Sequence, residues 1–119
     1  MWERYNVAGQ QAMSSGRPGE AESSFKMALQ EAENQFGPHD NRVALCAINL
    51  ANCLRQQGKY LDAEPLYKQA ILVKERAFHP FHHELINVLE NYGKMLRAAG
   101  REREAEKIEH KAKVIFAKQ

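Results

Sequence analysis

The sequence is poor in the residues that punctuate β-rich or disulfide-bonded folds. It has only four prolines, seven glycines and two cysteines in 119 residues. So few chain breakers argue against an all-β or loop-rich fold. No stretch approaches the ~18 consecutive apolar residues of a membrane-spanning helix. The start, Met1-Trp2-Glu3-Arg4-Tyr5, lacks the basic-then-apolar layout of a secretory signal. An excess of one charge is missing too: 17 Lys and Arg stand against 15 Asp and Glu. With 44% apolar residues, that near-balance excludes a disordered chain and predicts one domain, 1–119, with its own core.

The two cysteines, Cys46 and Cys53, are seven residues apart. On one helix that separation is about 10 Å at ~1.5 Å per residue, beyond the roughly 7 Å that a disulfide bridges. Two free thiols without an export signal suit a reducing compartment, and the expected location is cytoplasmic. Zinc or redox chemistry would need closer spacing or further ligands, so both cysteines are expected to be small buried hydrophobes.

What the chain has in quantity is repetition. Gly16-Arg17-Pro18-Gly19-Glu20-Ala21-Glu22 returns as Gly58-Lys59-Tyr60-Leu61-Asp62-Ala63-Glu64 and as Gly100-Arg101-Glu102-Arg103-Glu104-Ala105-Glu106, each time after 42 residues. The same offset aligns Gly9, Ala51 and Gly93, then Ala28, Ala70 and Ala112, and it pairs Phe25 with Tyr67 and Pro38 with Pro80. A period of this length denotes a stack of supersecondary units. The units read as repeat 1 about 1–40, repeat 2 about 41–82 and repeat 3 about 83–119.

Each unit reads as two helices. Ala47, Leu50, Ala51 and Leu54 form one apolar stripe, and Ala63, Leu66, Tyr67, Ala70 and Ile71 another, with Gly58 as the break between them. Pro80 turns His79 away from helical geometry, and Asp40 or Asn41 can cap the first helix of the middle unit. The expectation is an all-α solenoid of three helix-turn-helix repeats, with helices at roughly 2–14, 19–35, 41–57, 60–77, 83–99 and 102–117. Pro18 and Gly19 should delay the second helix. The recurring small residues mark the closest helix contacts, where axes approach to about 8–10 Å.

At these residues the chain resembles a tetratricopeptide repeat array. It is most similar to the kinesin light chain subgroup, as shown by Asn49-Leu50-Ala51, Gly58-Lys59-Tyr60, Ala63-Glu64-Pro65-Leu66-Tyr67 and the linkers Phe36-Gly37-Pro38 and Phe78-His79-Pro80. The resemblance implies a protein that binds a protein or peptide partner in a concave groove lined by the first helices. Register then places Asn6, Gln10 and Met13, Asn49, Asn52 and Arg55, and Asn91, Lys94 and Arg97 toward that groove. Amide side chains both donate and accept, so they can grip an extended backbone, and the arginines can hold a carboxylate.

A second possibility lies at the chain end. Glu109 stands where Phe25 and Tyr67 pack, which marks α-helical stacking as ending there. Ile108, Val114, Ile115 and Phe116 then form a possible association surface for a homo-oligomer or a partner helix. Nucleic-acid binding is disfavoured. The last quarter, residues 94–119, carries eight basic side chains against four acidic ones, but Glu102, Glu104, Glu106 and Glu109 are interleaved with them. Nothing points to an enzyme or a cofactor: there is no Gly-rich phosphate loop, nucleophile elbow or His-Glu-x-x-His. Pro80 disrupts the helical spacing that His79 and His83 would need for a metal, so the linker histidines are expected to cap or to bond the linker.

Overall fold

Three glycines at the repeat period set the turns. In the computed structural model, which describes residues 1–119, Gly16, Gly58 and Gly100 have φ of 71°, 78° and 80°. This left-handed region strains any side chain with a Cβ. Each glycine closes a first helix with the same cap, in which Arg17, Lys59 and Arg101 donate their backbone N–H to the carbonyls of Ala12, Leu54 and Leu96 at 2.8–2.9 Å. The elements are α1 Trp2–Ser14, α2 Pro18–Phe36, α3 Asn41–Gln56, α4 Tyr60–Ala77, α5 Glu84–Ala98 and α6 Glu102–Ala117. Asp40 caps α3 by accepting from the Arg42 N–H at 2.8 Å.

The helices match the expected spans to within a residue or so. One expectation fails: α2 is not delayed by Pro18 and Gly19 but starts at Pro18, the same register as Tyr60 and Glu102. Proline at the first helical position loses no hydrogen bond, because that N–H has no partner in any helix, and its fixed φ suits the first turn.

Each hairpin packs as a unit, and the hairpins stack. α3 seats in the groove between α1 and α2, and α5 seats against α3 and α4. The first helices touch along the stack, α1 to α3 and α3 to α5, whereas α2, α4 and α6 do not touch one another. That asymmetry bends the solenoid, with α1, α3 and α5 on the inside of the curve.

The small residues sit where helices are closest. Ala21, Ala28, Ala63, Ala70 and Ala105 are fully buried, and Ala112 nearly so. The Phe25 ring lies across Gly9, where even a methyl group would overlap it. Tyr67 lies fully buried in the same register and stacks on Tyr92 of the next hairpin, with ring centroids 5.8 Å apart. A smaller cluster of Ala28, Ala32, Val43 and Cys46 joins the first two hairpins. At its edge Trp2 meets Phe36 edge-on, and the Arg42 guanidinium lies 3.4 Å above the Phe36 ring. Cys46 and Cys53 are free and buried along this same seam, where Cys46 accepts from Asn6 Nδ2 and Cys53 Sγ donates to the Pro18 carbonyl. Burial pushes both thiols up from their ordinary range.

Polar clamps cross each seam at a fixed register. Lys59 Nζ meets Glu22 at 2.8 Å, and Arg101 grips both oxygens of Glu64 at 2.8 and 2.9 Å. Tyr92 also donates its hydroxyl to Glu64 at 2.6 Å. Lys74, nearly buried, spans Asn41 and Glu84 at 3.2 and 3.1 Å. The Lys59 and Arg101 partners hold the Glu22 and Glu64 carboxyls at about 2, well below the ordinary 4.5.

Two outcomes follow. Ala70→Leu should overpack the central hairpin and cost on the order of 1–3 kcal/mol, read from the urea midpoint; a variant that unfolds like the parent would place the helix contact elsewhere. Because Glu22 and Glu64 have lower pKa values folded than unfolded, their pairing stabilises the fold above pH 4.5, and that contribution is lost as pH falls toward about 2. Glu64→Gln should flatten this acid dependence while lowering stability at neutral pH.

Candidate functional site

The inner face is built from residues one helical turn apart on successive first helices. Asn49 and Asn91 share one register, Gln10, Asn52 and Lys94 a second, and Met13, Arg55 and Arg97 a third. Gln10, Met13, Asn49 and Asn52 come together, joined by Ser14 and Gln56, around an open pocket of about 310 Å³ between α1 and α3. The buried Phe25 and Cys53 stand behind it.

Two of these groups are held by the second helix. Tyr67 donates its hydroxyl to Asn52 Oδ1 at 2.6 Å and accepts from Arg55 Nε at 3.1 Å. The bond uses the amide oxygen of Asn52 and leaves its NH₂ group free to donate. It also leaves the terminal nitrogens of Arg55 without an ion pair. Burial raises the Tyr67 phenol above its ordinary range, so it stays protonated and remains a donor.

Asn6 does not belong to this face. It sits one residue out of register with Asn49 and Asn91, matching Ile48 and Glu90 instead. One residue rotates a helical side chain by about 100°, which turns Asn6 toward α3. There it is 9% exposed and donates to Cys46 Sγ at 3.4 Å. Val7 occupies the register of Asn49 and Asn91, and it is exposed.

The third hairpin contributes less to the inner face than register alone suggests. Arg97 is engaged by Glu109 through two bonds of 2.7 Å. Glu109 lies over Gly93, where a Cβ would come 2.9 Å from its Cγ. The pair therefore repeats, in ionic form, the Arg55–Tyr67 contact of the middle hairpin. Asn91 bonds Asn87 within α5 at 3.3 Å. Lys94 is exposed and faces the end groove between α5 and α6 with Glu90 and Phe116.

The four apolar residues near the chain end divide between two sides of α6. Ile108, Val114 and Ile115 face a gap of about 240 Å³ between α4 and α6, beneath Pro80 and Phe81 of the linker. Ile115 is buried in the main core and Ile108 packs against it. Only Phe116, 72% exposed, stands on the open end groove. Their sequence proximity misleads because residues 115 and 116 point about 100° apart on a helix. In the linker, His82 Nδ1 accepts from the Glu84 N–H and His79 Nδ1 from the Phe81 N–H, both at 3.2 Å. His82 also stacks on Phe78 at 4.1 Å, and its burial disfavours the charged form.

Sequence reasoning missed the orienting hydroxyl of Tyr67, since an aromatic in that register reads as packing. The contrast between Phe25 and Tyr67 was the available signal. It also missed Ser14 and Gln56, which share one register and were visible as such.

Comparison with known proteins gives three results. A family model described as tetratricopeptide repeat matches residues 5–75 and again residues 44–112. No curated protein matches the sequence. Among solved structures, the chain is similar to BtubC (BKLC) from P. vanneervenii, with a TM-score of 0.62 and 19% identity over 98% of its length. At that identity the likeness is one of fold, and the chain spans 63% of the length of that structure.

Tyr67→Phe should leave the helix content unchanged and cost about 1 kcal/mol, the worth of a buried hydrogen bond, in urea unfolding. An equal loss in a Tyr67→Phe, Asn52→Ala double variant and in each single variant would show the two groups acting as one unit.

Proposed function

This chain belongs to the tetratricopeptide repeat family, and from that premise we propose that it is a non-catalytic protein-interaction module that holds an extended segment of a partner along the inner face of α1, α3 and α5. The observation that carries this reading is the polar pocket between α1 and α3. Gln10 and Asn49 make no side-chain hydrogen bond inside the chain, and Asn52 presents its NH₂ group with its oxygen already satisfied. Such amides meet the alternating N–H and C=O groups of an extended peptide without selecting its side chains. Arg55, one turn beyond Asn52 with its guanidinium ends unpaired, supplies a place for a carboxylate of the partner.

No helix is long and apolar enough to cross a membrane. The unpaired, buried cysteines suit a reducing setting such as the cytoplasm, where we place the interaction.

Panning a displayed library of random linear peptides against the chain should enrich binders. Their affinity, read by fluorescence anisotropy, should fall about fivefold for Gln10→Ala and for Asn49→Ala, the equivalent of about 1 kcal/mol each. Both variants should unfold like the parent. Peptides that bind the variants as tightly as the parent would place the interaction elsewhere.

A further inference from the structure

The seating of one hairpin on the next occurs twice inside the chain, and its first and last hairpins carry matching halves of a third seat. α3 occupies the groove left by α1 and α2, and α5 that left by α3 and α4. The equivalent groove between α5 and α6 is open, with a volume of about 590 Å³.

The residue pairs across the two internal seats define a register. Glu22 receives Lys59, and Glu64 receives Arg101, with both carboxylates and both cations 42 residues apart. The next carboxylate in the series is Glu106, which is exposed and takes part in none of the chain's ion pairs. The cation that would meet it belongs to the head of a following hairpin, and at the head of this chain that position is Arg17. Arg17 pairs with Glu20 on its own helix, as Arg101 pairs with Glu104, but Arg101 takes Glu64 in addition. Arg17 thus lacks only the partner that Glu106 would be.

Two further pairs obey the same register. Asn6 donates to Cys46 across the first seat; at the third seat those positions are Glu90 and Arg4, exposed, of opposite charge and without ion pairs. Ala32 and Val43 share the small cluster across the first seat; their counterparts are Phe116 and Met1, 72% and 69% exposed.

We propose that the α5–α6 groove receives α1 of a second copy of this chain, with Glu106 against Arg17, Glu90 against Arg4 and Phe116 against Met1. The occupant is a second copy because the complementarity lies between two faces of the same chain. The proposal is independent of the peptide groove. The contact joins unlike faces, so it does not close after two copies, and association continues head to tail. It is weaker than the internal seats, because α1 offers Ala8 and Gln11 where α3 offers Leu50 and Cys53 and α5 offers Tyr92 and Met95. Its reliance on exposed charge makes it sensitive to salt.

Sedimentation velocity of the parent from micromolar to millimolar concentration should show a weight-average coefficient that rises past the dimer value at low salt and drops at high salt. Glu106→Arg and Arg17→Glu should each weaken association about tenfold or more by placing like charges together. An equimolar mixture of the two variants should associate as the parent does, because each supplies the charge the other has lost. Circular dichroism and thermal unfolding of each variant check the fold, and Glu106→Gln with Arg17→Gln should show the same weakening without reversed charge. A parent that stays monomeric or stops at a dimer, variants that associate like the parent, or a mixture that fails to recover would each overturn the proposal.

Discussion

The close approach of the two helices in each hairpin is the constraint on which the rest of the structure depends. A side chain from the second helix lies across a residue of the first that has little or no side chain: Phe25 over Gly9, and Glu109 over Gly93. Fully buried alanines line the rest of the contact. Because the helices meet so closely, the second-helix side chain reaches through to the inner surface. That reach is how the Tyr67 hydroxyl comes to hold Asn52 and Arg55. Packing and presentation of polar groups are therefore the same contact seen from two sides.

The seams between hairpins follow a different logic. Within a hairpin the closest contact is made by small residues and the polar bonds differ from one hairpin to the next, whereas each seam adds a carboxylate and a cation at one fixed register. Apolar alanine surfaces slide easily past one another. A charged pair beside the apolar contact is satisfied at one offset only, which ties the orientation of successive hairpins to the repeat itself. Glu64 accepts from both Tyr92 and Arg101, so the second seam is knit more tightly to its neighbour than a single surface pair would allow.

Most of the fold could be read from the 42-residue period, because glycine turns and small-residue contacts are local requirements that recur visibly. The first turn of α2 departs from the delay expected of Pro18 and Gly19 because Pro18 stands at the first helical position, where its missing N–H costs nothing. Side-chain placement was harder. Asn6 resembles Asn49 in type but not in register, and a single residue carried it from the surface to a seam. Ile115 and Phe116 are adjacent in sequence yet face different grooves of α6. Arg97 aligned correctly with Arg55, but which partner it finds depends on residue 109, twelve positions away on another helix. Register is a property of one helix, while exposure and pairing are decided by two.

The two cysteines give the seam between the first and second hairpins a chemical clock. Cys46 and Cys53 both lie on it, both are covered almost completely, and burial keeps both thiols in the unreactive protonated form. No cysteine lies in the other seam. An alkylating reagent in solution can therefore meet a thiol only when the first hairpin lifts from the second. At reagent concentrations where capping outruns reclosing, the rate at which the thiols are capped measures the frequency of that opening, while unravelling confined to the distal hairpin leaves both thiols covered.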